Sequence, residues 1–216
     1  VLDLRSVSAL LALSIALTAS LPAAADTSGL PKTAAEKAFV SEIQADLGAR
    51  FPTASDAEKA GYHRYTNADD TGAISYANFV WTSIDAKHPS QLWYDRSGAL
   101  LGADFSRPLT TKPPSWLGIA PSRWQKFEDH IHFVERDPKT GKFLYDKYAT
   151  EKEFVGAGGS MAHPSAATLV KLHKVASTSQ VALIFDSPAF WDLIVWVKPN
   201  PLGAFAEKNP SVNPKG

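Results

Sequence analysis

The amino-acid sequence predicts an α+β fold, an antiparallel β-sheet with N-terminal helices packed against it. Two patterns predict it. Apolar residues recur at helical spacing near the start (Phe39, Val40, Ile43, Leu47), and further along the apolar period shortens to two. Between the period-2 stretches stand turn sequences of hairpin type, Arg96-Ser97-Gly98 and Asp137-Pro138-Lys139-Thr140-Gly141. Helices first and hairpins afterwards favour an antiparallel sheet over alternating βαβ units.

Taken in order, residues 1–25 read as an export signal. Arg5 precedes an apolar and small-residue run from Val7 to Ala19, and Ala23-Ala24-Ala25 supplies an A-x-A cleavage pattern before Asp26. The run is shorter than the roughly 20 apolar residues of a membrane span. The expected destination is the periplasm or the exterior, with no integral membrane segment after cleavage. Residues 26–32 read as a flexible start, 33–205 as a single α+β domain and 206–216 as a polar tail.

Thr33-Ala34-Ala35-Glu36 is a capping box opening the first helix, with Gly48 its expected stop. Ser55-Asp56-Ala57-Glu58 opens a second, short helix that Gly61 closes. Ile74 to Trp81, Leu92 to Asp95 and Ala99 to Phe105 are strand-like. Prolines 108, 113, 114 and 121 mark a long loop. A histidine-bearing strand follows, then a strand from Lys142 to Tyr148. Thr150-Glu151-Lys152-Glu153 caps a short helix ending at Gly158-Gly159. Ala166 to Val175 suits helix or strand, and Trp191 to Val197 is a final strand stopped by Pro199-Asn200-Pro201.

Composition narrows the function classes. Twenty-two basic and 22 acidic residues balance, and Arg5 and Asp3 leave with the signal, so the net charge stays at zero. That balance disfavours capture of nucleic acid or of an anionic membrane. The chain has no cysteine, hence neither a disulfide nor a thiolate metal site. Six tryptophans suit a core or an aromatic-lined cleft.

The sharpest chemical feature is Phe127-Glu128-Asp129-His130-Ile131-His132-Phe133-Val134. In a strand, Glu128, His130 and His132 share one face, and Phe127, Ile131 and Phe133 the other. Imidazoles two residues apart stand about 6.6–7 Å from each other along a strand and can bend toward one ion or ligand. Neutral imidazoles suit zinc, copper, nickel or iron, and a carboxylate completes many such sites. The candidate metal ligands are therefore His130 and His132, with Glu128 and His63 nearby, and the expected metal is zinc or copper. Alternatively Glu128 orients the His130 ring and leaves His132 to move a proton.

Two other motifs fail on paper. A cupin-type pattern would need glycine where Trp124 stands. Gly158-Gly159-Ser160-Met161-Ala162 brushes against a nucleophile elbow, but no histidine follows Asp186 or Asp192 to complete a triad.

Trp191-Asp192-Leu193-Ile194-Val195-Trp196, running through Asn200-Pro201-Leu202-Gly203-Ala204-Phe205 to Asn209-Pro210, resembles the closing motif of a family of small secreted bacterial proteins of unknown function. That motif reads W-x-L-H-V-W, then N-P-x-G-x-F and a final N-P. Ala60-Gly61-Tyr62-His63 and Pro89-Ser90-Gln91-Leu92-Trp93-Tyr94 with Gly102 resemble earlier segments of the same family. Ile194 stands where the motif has histidine, and Asp192, on the same strand face, is a candidate substitute.

The expected function is binding of a divalent transition metal, or of a small ligand through it, by the His-x-His pair. A non-catalytic interaction module of the cell envelope, docking a partner on exposed aromatics, is the alternative, and a metal-assisted hydrolase comes third.

Overall fold

A computed structural model of the chain describes residues 29–69, 71–78 and 85–212. The expected signal, the start of residues 26–32 and Trp81 lie outside them. The fold is α+β: helices packed against two antiparallel sheets. No helix among the described residues is long and apolar enough to cross a membrane.

α1 (Ala34–Arg50) forms where the apolar spacing places it, and Phe39, Val40, Ile43 and Leu47 are its buried stripe. The Thr33 side chain accepts a hydrogen bond from the Glu36 N–H at 3.0 Å, which is half of the expected capping box. The other half is missing because the Glu36 carboxylate turns inward to Arg123. Gly48 does not stop the helix. One more turn is held by the Asp46–Arg50 ion pair and by Phe51, whose N–H donates to the Leu47 carbonyl. α2 (Ala54–Lys59) starts two residues earlier than the capping box at Ser55 implies. Thr53 is its N-cap, with Asp56 as the reciprocal partner.

The larger sheet has six strands in the order β1-β2-β3-β4-β9-β5. These are β1 (His63–Arg64), β2 (Ile74–Ala77), β3 (Gln91–Tyr94), β4 (Leu100–Pro108), β5 (Trp124–Phe127) and β9 (Phe190–Trp196). β2 is shorter than the expected strand from 74 to 81, whose later part falls within the undescribed residues 79–84. Gly98, at φ +82°, supplies the left-handed residue of the β3–β4 hairpin. Leu92 and Tyr94, Ala103 and Phe105, and Leu193 and Val195 point to α1 and form the main core with it. The alternate residues of β4 and β9, among them Asp104, Ser106, Asp192 and Ile194, therefore face the other way.

The smaller sheet, in the order β7-β6-β8, comprises β6 (His130–Arg136), β7 (Phe143–Thr150) and β8 (Val181–Ser187). Its inner face, with Ile131, Phe133 and Ala149, packs on Phe154 of α3 (Glu151–Gly156) and Leu169 of α4 (Ala166–Lys171). The segment from Ala166 thus resolves as helix. β8 has no counterpart in the expected strands.

The sheets meet in one interrupted ribbon. Phe127 pairs with Phe190 in the larger sheet, and His130 pairs with Ser187 in the smaller. Glu128-Asp129 and Pro188-Ala189 break the ladder between them, and Pro188 has no N–H to offer it. The single histidine strand expected from the sequence is therefore two strands in two sheets.

The two ends of the described span meet. The Trp196 indole donates to the Ala206 carbonyl at 2.6 Å, and Ala206, Asn209 and Val212 are buried. Within the stretch read as a polar tail, Ala206, Asn209 and Val212 thus pack inward while the residues between them stay exposed, and Trp196 finds there the partner its N–H needs. The Phe205 N–H donates to the Gly29 carbonyl at 3.0 Å, which ties the expected flexible start to the same place.

Candidate functional site

β6 and β8 lean over the polar face of the larger sheet and enclose a cleft with two lobes. His132, Tyr65, Gln91, Ser187 and Phe190 line both and form its waist. Each lobe holds about 260 Å³. One is mainly apolar, walled by Ala77, Pro108, Phe185 and Pro188, with Asn78 and Asp186 among its polar groups. The other contains Asp69, Asp104, Asp192, Glu207 and His130.

The strand alternation that buries Ile131 and Phe133 turns His130 and His132 into this cleft. Their rings approach edge to face, and the two Nε2 atoms are 2.9 Å apart. His130 Nδ1 lies 2.7 Å from the Glu128 carbonyl oxygen. A carbonyl only accepts, so Nδ1 carries the proton and Nε2 presents its lone pair to His132. In a hydrogen bond between the two rings, His132 is then the donor through Nε2. Its own Nδ1 is left buried with no hydrogen-bond partner.

His132 is held by an edge-on contact with Tyr65 at 4.9 Å and by stacking on Phe185 at 5.4 Å. Burial, together with the neighbouring His130, lowers its pKa to about 4, against an opposing contribution from the Lys147 backbone. It is neutral at physiological pH.

The remaining sequence-predicted ligands do not join this pair. The Glu128 side chain is 77% exposed and bonds Lys126 Nζ at 2.7 Å. It is the Glu128 backbone that orients His130. His63 is exposed on β1, at the outer edge of the larger sheet. Among the described residues no group of three or more histidines and carboxylates is placed to hold one metal ion. Ile194, the position that departs from the resembled motif, lines the acidic lobe directly across from Asp104.

Asp192, the candidate substitute, lines the same lobe as the two histidines and is engaged with its own neighbours. Its carboxyl is 3% exposed, accepts from the Ser106 hydroxyl at 2.9 Å and is hydrogen-bonded to the carboxyl of Asp104. Asp104 accepts from the Trp93 indole at 2.8 Å, while its Oδ1 meets no donor. Two buried carboxyls in contact must share a proton. Burial raises both, Asp192 to about 6, and the charge of Asp192 adds to the rise at Asp104. A second such pair, Asp129 and Asp186, sits where the ribbon is interrupted. Burial and the Asp129 charge raise Asp186 to about 6.

Sequence reasoning missed Asp104 altogether. Its only signal was a charged residue in the alternating run from Leu100 to Ser106, on the face opposite Ala103 and Phe105. The described tryptophans are occupied in packing: Trp93, Trp124 and Trp196 are buried, and Trp116 and Trp191 lean on the main core. They form no open docking patch among the described residues.

Comparison with protein-family models, with curated proteins and with solved structures finds no match to this chain.

Proposed function

We propose that this protein, exported from the cell, binds a divalent transition-metal ion through His130 and His132 and presents its open positions to a small ligand in the cleft. The observation that carries this reading is the 2.9 Å separation of the two Nε2 atoms. At metal–nitrogen bonds of about 2.0–2.1 Å, ligands at right angles stand about 2.9 Å apart. Tetrahedral ligands stand roughly 3.3–3.4 Å apart at the same bond length. The separation therefore suits the tetragonal geometry of copper(II) better than that of zinc. The Glu128 carbonyl supports His130 from behind, as outer-shell partners of ligating histidines commonly do. For His132 to ligate, its proton must pass from Nε2 to the unpartnered Nδ1.

Two protein donors leave the ion coordinatively open, so affinity depends on what the cleft adds. The test is copper(II) titration of the purified protein without a histidine tag, followed by electron paramagnetic resonance. A stoichiometric tetragonal signal with two nitrogen ligands, lost in the His130→Ala/His132→Ala double variant, is expected. Copper binding that survives the double variant would reject the reading.

A further inference from the structure

The apolar lobe of the cleft differs in kind from its neighbour. Ala77, Pro108, Phe185, Pro188, Ala189 and Phe190 supply its apolar wall. Arg107 and Asp186 border it, yet strand alternation turns both side chains away. Arg107 shares the face of Phe105 on β4, and its guanidinium lies over the Trp116 ring at 5.8 Å, against the main core. Asp186 shares the face of Ile184 on β8, and its carboxyl is hydrogen-bonded to that of Asp129. Among the lining residues, no carboxylate, lysine or arginine side chain therefore enters the lobe.

Most of its polar groups are engaged with the protein. The Ser90 hydroxyl donates to the Asp104 carbonyl at 3.1 Å, Ser106 to Asp192 at 2.9 Å and the Asn78 amide to the Ala60 carbonyl at 3.2 Å. The Tyr65 hydroxyl donates to Gln91 Oε1. Two groups at the waist remain. The Gln91 amide nitrogen and the Ser187 hydroxyl meet no protein partner among the described residues. The first only donates, and the second can donate or accept. A ligand hydroxyl can therefore accept from Gln91 and donate to Ser187, with its hydrocarbon body in the lobe.

We propose that the apolar lobe binds a small neutral phenol, its ring against the apolar wall and its hydroxyl at Gln91 and Ser187. Tyr65, Phe185 and Phe190 place three rings on the lobe, which favours an aromatic body over an aliphatic one. The volume of about 260 Å³ lies below the ~300–1,000 Å³ usual for drug-sized ligands, so the occupant is a single-ring compound. A charged ligand would lose its water and find no counter-ion there. Neither Gln91 nor Ser187 is a ligand in the metal reading, and the inference goes beyond it.

The experiment is an NMR titration of the purified, isotope-labelled protein, kept in EDTA, with p-cresol, toluene and 4-methylbenzoate. p-Cresol is expected to saturate in the millimolar range, with shifts concentrated at Ala77, Asn78 and Phe185 to Phe190. Toluene lacks the hydroxyl and is expected to bind about two- to tenfold more weakly. 4-Methylbenzoate is expected to bind at least about tenfold more weakly. Ser187→Ala removes a hydroxyl that the fold does not use. It is expected to weaken p-cresol about two- to fivefold, leaving toluene affinity and the melting temperature unchanged. No saturable p-cresol binding, equal binding of 4-methylbenzoate, or shifts confined to other residues overturns the proposal. So does p-cresol affinity unchanged in Ser187→Ala. Because EDTA removes any bound metal, this titration and the copper titration fail independently.

Discussion

The Glu36 carboxylate, in the first turn of α1, lies 3.1 Å from the guanidinium of Arg123, and both side chains are buried. Arg123 also stacks over the Phe205 ring at 4.8 Å. One cation thus joins the first helix, the loop ahead of β5 and the C-terminal segment. Burial alone would raise Glu36, but hydrogen bonds from Arg123 and from the Lys32 and Ala120 N–H groups outweigh it and lower its pKa to about 2.

Arg123→Ala is expected to cost about 3–5 kcal/mol, because it leaves a buried carboxylate unpaired. Glu36→Gln should cost less, since an amide oxygen still accepts from the backbone. A depressed carboxylate stabilises the fold above its ordinary value of 4.5, and that contribution is lost as pH falls through about 2. Urea midpoints across this window should fall more steeply for the parent than for Glu36→Gln. Parallel profiles would show that the pair carries no such linkage.

Asp192 behaves in the opposite sense. Its raised pKa means that the pair's contribution is full below the ordinary value of 3.8 and declines as pH rises through about 6. In Asp192→Asn the amide can donate to Asp104 while its oxygen still accepts from Ser106. The variant should lose the slope between those two pH values and be more stable than the parent at pH 7, by up to about 2 kcal/mol. Retention of the parental slope would contradict the shared proton.

The two histidines should separate in stability though not in metal affinity. His130 touches little beyond His132 and the Glu128 carbonyl, so His130→Ala should cost less than about 1 kcal/mol. His132 packs on Tyr65 and Phe185, and its replacement by alanine should cost about 1–2 kcal/mol. From the strand pattern alone, both changes would leave the fold nearly unaltered. Thermal melts of the two variants decide the matter, and equal melting points would count against the packing role of His132.

Gly203 and Gly48 make a matched pair of glycine tests. Gly203 sits at φ +103°, and a Cβ there would come within 2.1–2.2 Å of the Gly29 backbone. Gly203→Ala should destabilise by more than about 2 kcal/mol by undocking the N-terminal strap from the C-terminal segment. Gly48 lies inside α1 with no atom within 4 Å of a built Cβ, and Gly48→Ala should stabilise by about 0.5–1 kcal/mol. Chemical denaturation of both variants reads the outcome. A tolerated Gly203→Ala would mean that the close approach is not required.

Short-range physics between a few neighbouring residues already writes part of this structure into the chain. The apolar spacing of Phe39, Val40, Ile43 and Leu47 specifies α1 and its buried stripe. Gly98 and Gly141 mark left-handed turn positions, and Thr150 with Glu153 forms the cap that their spacing announces. The alternation around His130 and His132 places Ile131 and Phe133 in a core and the imidazoles together on the opposite face. That much of the candidate site was legible.

The rest depended on tertiary pairing. Asp104 and Asp192 meet only because β4 pairs with β9, and nothing local to either residue encodes that neighbour. β8 escaped detection because the apolar run from Val181 lacks clean alternation and becomes a strand by lying beside β6. Glu128 does not join the pair because the ribbon is interrupted after Phe127 and its side chain turns out to Lys126, and His63 stays exposed on β1. Period and capping act over a turn or a strand, whereas a cleft is closed by residues far apart in the chain. The histidines were therefore visible in the sequence, and the two-lobed cleft they face was decided by the fold.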